Sequence, residues 1–176
     1  MPTATTLTPT DARALLAHTA PSVELHAGVC LMLYAGLRRG ELTDLHVRDY
    51  TPGAEPTIRI GALRHPRTIR LAPTAAAAVD AYLATQDADP DDYLLPGLTD
   101  TKLAVRLRAA ANAAGVTARS HDLRTTAVSA VLESGLPMLY LQPYFGLSAA
   151  LGPNDLDGPP KGYDQAVALA LEVAYR

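Results

Sequence analysis

The chain is 176 residues long, enough for one domain with a sizeable buried core. Only 5 % of residues are aromatic, alanine is abundant, and 15 basic against 18 acidic side chains leave a formal charge of −3. This excludes a protein that is basic overall, as one coating nucleic acid would be. It also excludes a disulfide scaffold, since Cys30 is the lone cysteine. No apolar run is long enough to span a bilayer, so no membrane association is expected.

The N-terminal MPTATTLTPTD has no basic stretch followed by an apolar one, so no secretion signal is read and a cytoplasmic location is expected. Residues 1–7 read as a flexible leader and residues 8–176 as a single domain. Thr8, Pro9 and Asp11 form a helix start, with a cap hydroxyl, a first-turn proline and a carboxylate near the free amides. That helix covers 9–18. Ser22 and Glu24 open a second helix whose apolar residues are too dense for a surface position. It lies in the core with Cys30 as a reduced thiol, and should end near Gly36. A short helix is expected over 40–47.

The period then changes. TIRI and RTIRL alternate around GALRHP, predicting a β-hairpin between Thr57 and Leu71. Helices follow from Pro73 to about Thr85, over 100–114, and from His121 to near Gly135. LPMLYLQPYFG reads as one or two short turns, residues 148–162 as a Gly/Pro-rich loop, and residues 163–175 as a closing apolar helix. The fold class expected is mainly α with a small β-hairpin or sheet. All but two of the basic residues are arginine, and Arg59, Arg64, Arg67 and Arg70 fall in one segment, so a local basic cleft on an acidic chain is open.

LYAGLRRGEL (33–42), HDLR (121–124) and LQPYFGLS (141–148) resemble, in order, three active-site segments of the catalytic domain of tyrosine recombinases, the phage integrase family. LTPTDARALL resembles its first helix, and IRIGALRHPRTIRL the hairpin whose turn carries an active-site lysine. The resemblance covers roughly residues 7–175 and implies that family's mainly helical fold. In the family, two arginines and two histidines (or a histidine and a tryptophan) surround a scissile phosphate. A lysine protonates the leaving 5′ oxygen and a tyrosine attacks to form a 3′-phosphotyrosyl link. Guanidinium forks suit non-bridging phosphate oxygens, and imidazole can donate a hydrogen bond or move a proton near neutral pH. The resemblance implies that Arg38, His121 and Arg124 grip the phosphate, with Glu41 as structural support and Arg64 and Arg67 extending the anion site.

The sequence departs from the pattern at three roles. Ala62 stands at the lysine position, and Leu147 where a histidine should follow Gly146. Leu156 stands nine residues beyond Leu147, where the tyrosine belongs. The next tyrosine is Tyr163, sixteen past Leu147. The active site is therefore expected to be degenerate. No N-terminal core-binding domain is read before the catalytic-like part.

Each candidate also has a plainer reading. Arg38 can be a surface arginine paired with Glu41, and His121 with Arg124 a helix start with a solvated charge. Arg59, Arg70, Arg106 and Arg108 read as surface charges. Tyr140, Tyr144 and Phe145 suit either the core or a protein partner. The last helix docks on its own chain or on a second copy, and the first is preferred.

Three functions follow as expectations. The first is a stand-alone integrase-like protein with an Arg/His anion-binding cleft and no strand transfer, binding duplex DNA weakly or acting as a regulator. The second is an enzyme acting on an anionic small molecule in the former DNA cleft. The third is an active DNA recombination enzyme using Tyr163 as nucleophile. No cofactor is implied, and the scattered histidines imply no metal.

Overall fold

The computed structural model describes residues 5–61, 66–147 and 159–176. Among these, helices α1 (Pro9–Thr19), α2 (Val23–Tyr34) and α3 (Arg39–Thr43) precede strands β1 (Tyr50–Thr51), β2 (Thr57–Ile60) and β3 (Arg67–Arg70). Helices α4 (Pro73–Leu83), α5 (Asp100–Ala113), α6 (Ser120–Glu133), α7 (Met138–Phe145) and α8 (Tyr163–Ala174) complete the chain. None of the described helices is long and apolar enough to cross a membrane.

Helix α1 starts on the cap legible in the sequence. Thr8 Oγ1 accepts the Asp11 amide at 3.1 Å, and the Asp11 carboxylate accepts the Thr8 hydroxyl at 2.8 Å. Such a cap stabilises a helix by about 1 kcal/mol. The segment expected to be a loose leader is tied down over its last three residues. The Thr5 amide donates to Asp122 Oδ1 (3.0 Å) and the Leu7 amide to Thr126 Oγ1 (2.8 Å), with the Leu7 side chain buried. Thr126 is a buried hydroxyl on α6, and the leader backbone supplies it with a donor.

Helix α2 is the central element, buried on nearly all sides and packed on α1, α4 and α6. It stops at Tyr34 because Gly36 turns the chain with φ +61°, and a Cβ there would lie 2.4 Å from the Phe145 ring. Both the left-handed backbone and the close approach require glycine.

The expected hairpin is present as β2 and β3, antiparallel with Ile58 opposite Ile69, and β1 adds a third strand in the order β1–β2–β3. Ile58, Ile60 and Ile69 point into the core, while Arg59 faces out and pairs with Asp49 at 2.7 Å. The helix expected over 40–47 stops at Thr43 and is followed by a single 3-10 turn, Val47–Asp49. Competing backbone bonds explain the difference. The amides of Val47 and Arg48 donate to Asp92 O and Pro90 O, and Leu45 O accepts the Leu94 amide.

A second difference concerns residues 138–145, which form one eight-residue helix despite Pro143. Burial of Leu141, Tyr144 and Phe145 outweighs the lost backbone donor. Tyr144 and Phe145 are each 0 % exposed, so of the two readings left open for them the structure places both in the core rather than on a partner surface. Tyr140 is half-buried against the same core. Helix α8 docks on its own chain, against α2, α6, α7 and β3. Its Glu172 carboxylate accepts the Thr74 amide (2.9 Å) and hydroxyl (2.8 Å) at the start of α4, where a negative charge is favoured. Cys30 is a free, buried thiol pushed up to about 12 by burial and then by the Glu172 charge.

Candidate anion-binding site

The site is built on the end of α7. A helix C-terminus leaves carbonyls without intrahelical donors, and they carry partial negative charge. Gly146, with φ +58°, ends α7 and turns its last carbonyls inward. Three arginines from three elements take three successive carbonyls. Arg67 Nε of β3 donates to Tyr144 O at 2.8 Å. Arg124 Nη2 of α6 donates to Phe145 O at 2.6 Å, and Arg38 Nη2, just before α3, donates to Gly146 O at 3.1 Å. Arg124 Nη1 also donates to Gly36 O at 2.5 Å, fixing the turn that follows α2.

Glu41 ties the guanidinium groups together. Its Oε1 accepts from Arg67 Nη1 (2.8 Å) and Arg38 Nη1 (3.2 Å), and its Oε2 from Arg67 Nη2 (3.1 Å) and the Arg38 amide (2.8 Å). The Glu41 and Arg67 side chains are 3 % and 6 % exposed. Burial alone would raise the Glu41 pKa. The hydrogen bonds from Arg67 and the Arg38 amide, with the charges of Arg67 and Arg124, outweigh it and hold the carboxyl below its usual range. For Arg124, burial and then the Arg38 charge bring the pKa down to about 10, with Glu41 opposing and Arg67 adding to the fall. The guanidinium stays charged at neutral pH.

Arg38 and Arg124 also line a hollow of about 670 Å³, joined there by Arg39, Arg108, Arg119 and His121. Ala104, Leu107 and Arg108 reach it from one face of α5, as i, i+3, i+4 spacing requires. Arg119 and His121 flank the first residue of α6. Leu107, Ala118 and Leu147 provide apolar wall, and no carboxylate is among the described lining residues. Arg39 is paired with Asp100 at 2.6 Å. By contrast, the exposed side chains of Arg108, Arg119 and His121 make no hydrogen bond or ion pair with any described residue.

The fold thus brings Arg38, His121 and Arg124 to one hollow. Arg67, expected in the anion site, does not line it and is engaged by Glu41 and Tyr144. Arg64, Ala62 and Leu156 lie outside the described residues. Tyr163 is half-buried and is not among the described lining residues. Burial and then Asp164 raise its pKa, with Arg67 opposing. Arg106, expected as a surface charge, bonds Glu24 at 2.8 Å and Ser22 Oγ at 2.9 Å. Sequence reading overlooked Arg39, Arg108 and Arg119 as lining residues. The run RSHDLR held a signal for Arg119, two places before His121, whereas nothing linear marks Arg108.

Residues 5–149 match the profile of the phage integrase family. The chain belongs to that family. Its fold is that of the tyrosine-recombinase catalytic domain, as solved structures illustrate. An integrase from mycobacterium phage Brujita superposes with a TM-score of 0.74 at 20 % identity, covering 98 % of this chain and 58 % of that one. XerA recombinase gives 0.73 at 23 % identity, covering 82 % and 57 %. The lambda integrase catalytic core gives 0.60 at 14 % identity, covering 81 % of this chain and 94 % of that core. This integrase-family chain therefore spans a little over half the length of the first two. No curated protein sequence matches it.

Proposed function

We propose that the hollow is a phosphate-binding site that engages the backbone of duplex DNA, and that the domain lacks strand-transfer chemistry. The observation that carries this reading is five arginines and a histidine around one hollow on a chain whose net charge is −3. Arg38 and Arg124 present guanidinium edges to non-bridging oxygens, pre-positioned by the α7 carbonyls, and His121 adds a hydrogen-bond donor. Glu41 and Arg67 hold those groups in place from behind.

The chemical step is the part the sequence does not equip. Leu147 lines the hollow where the family has an imidazole, so no proton can be donated from that position. Ala62 replaces the lysine, and arginine neighbours are poor proton donors. Tyr163 has a phenol whose pKa is raised, the wrong direction for a nucleophile. The domain would then act by occupying DNA or as a regulator.

Binding of a short labelled duplex at low and moderate salt tests the reading. Association should weaken steeply with salt, and Arg38→Ala should weaken it further. Binding that ignores salt, or none at all, would sink it. Incubation with a nicked suicide duplex should trap no covalent adduct; an adduct lost in Tyr163→Phe would restore the strand-transfer reading.

The apolar wall favours one alternative. A concave site of about 670 Å³ with a few convergent polar groups suits an anionic metabolite as well. Mass spectrometry of the protein purified under native conditions distinguishes the two, since a retained small molecule is expected only for the metabolite site.

A further inference from the structure

We infer that Arg108 and Arg119 form a second anion subsite on the hollow, so that its ligand carries at least two phosphates. This rests on the reading of Arg38, His121 and Arg124 as a phosphate site and extends it. The two groups of arginines differ in how they are held. Arg38 and Arg124 are fixed by carbonyls of α7 and by the Glu41 network. Arg108 comes from α5 and Arg119 from the connector entering α6, and neither side chain has a protein partner among the described residues.

Charge is the main argument. Arg108 and Arg119 share the hollow with Arg38 and Arg124, and the one carboxylate behind that pair, Glu41, is divided between Arg38 and Arg67. The cluster therefore keeps a net positive charge whose repulsion is relieved when anionic charge enters. Arg39 does not belong with them, because Asp100 already neutralises it. The chain has more acidic than basic side chains, yet none of its described acids lines the space beside Arg108 and Arg119. Size is the second argument. The volume of about 670 Å³ exceeds the needs of one tetrahedral anion and lies in the range of sites for larger ligands, about 300–1,000 Å³. The shared ligand chemistry is two phosphate charges on one molecule, supplied either by consecutive phosphodiesters of a nucleic-acid strand or by a free di- or triphosphate.

The experiment compares the full chain with the double variant Arg108→Ala/Arg119→Ala, using orthophosphate, pyrophosphate and a short duplex as probes. Both side chains are exposed and unpartnered, so the variant should melt at the temperature of the parent. The parent should bind a two-phosphate probe, and the variant should lose one of two advantages. If the ligand is a strand, the slope of log affinity against log salt for the duplex becomes shallower by about 2, one counterion per arginine. If it is a free polyphosphate, a preference for pyrophosphate over orthophosphate falls roughly tenfold or more while duplex binding does not change. Either result supports the subsite and names its source. A double variant that keeps both the slope and the preference, in a protein where Arg38→Ala still weakens binding, overturns the subsite and leaves the first phosphate site standing. A parent chain that binds none of the probes removes both.

Discussion

The back of the hollow and its rim use the same residue in opposite ways. At the back, Arg67 and Arg124 are buried and donate to carbonyls. Arg67 is also paired with Glu41 and is wholly engaged by the fold, whereas Arg124 is fixed by the fold but still lines the hollow. At the rim, Arg108 and Arg119 are exposed with no partner among the described residues. Arg38 belongs to both, with one edge on Gly146 and Glu41 and 42 % of its side chain still open. Counting arginines cannot separate support from recognition. What separates them is whether the protein already supplies the acceptor.

Substitution should sharpen that contrast, most strongly at the back. Arg67→Ala leaves the Glu41 carboxylate buried with half its donors gone and should destabilise the domain by roughly 3 kcal/mol or more in urea unfolding. A loss below about 1 kcal/mol would mean that the back wall is not structural. Gly36→Ala places a methyl against the Phe145 ring on a left-handed backbone, and should cost about 2–4 kcal/mol by the same measurement.

Acid should act on the back wall too. Because the folded Glu41 pKa is lowered, its stabilisation is complete above the ordinary carboxylate titration near 4.5 and disappears as pH falls through the lowered folded value. Glu41→Gln should therefore flatten the acid limb of the stability profile, and an unchanged limb would refute the assignment. The smallest effect belongs to the rim. Arg108→Ala and Arg119→Ala should each change stability by less than about 0.5 kcal/mol, with a small gain where repulsion is relieved. A large loss at either would move that arginine into the supporting group.

Much of the architecture could be read from the chain because its signals are local. Thr8 and Asp11 cap α1 through neighbours three apart, and the alternation of TIRI and RTIRL needs only strand geometry. Strand β1 escaped notice because two residues cannot display a period. Residues 44–47 looked helical until their amides and carbonyls found residues 90–94, and Pro143 disguised α7 because burial, which outweighs the proline, has no linear trace. The same limit applies to the site. Arg38, Glu41, His121 and Arg124 sit in recognisable short segments, and Glu41 is three residues from the arginine it holds. Arg108 could not be found that way, since α5 meets the start of α6 only in three dimensions.

The end of α7 has a consequence for how the protein is made. Three consecutive carbonyls near the C-terminus collect guanidinium groups that are 77, 21 and 108 residues away along the chain. Closing such wide loops is entropically costly and slow, so the guanidinium cluster that lines and backs the hollow is assembled only after the distant parts of the polypeptide have met. A nascent or partly folded molecule would carry every one of these side chains and still have no place for an anion, which makes ligand capture a gauge of completed maturation.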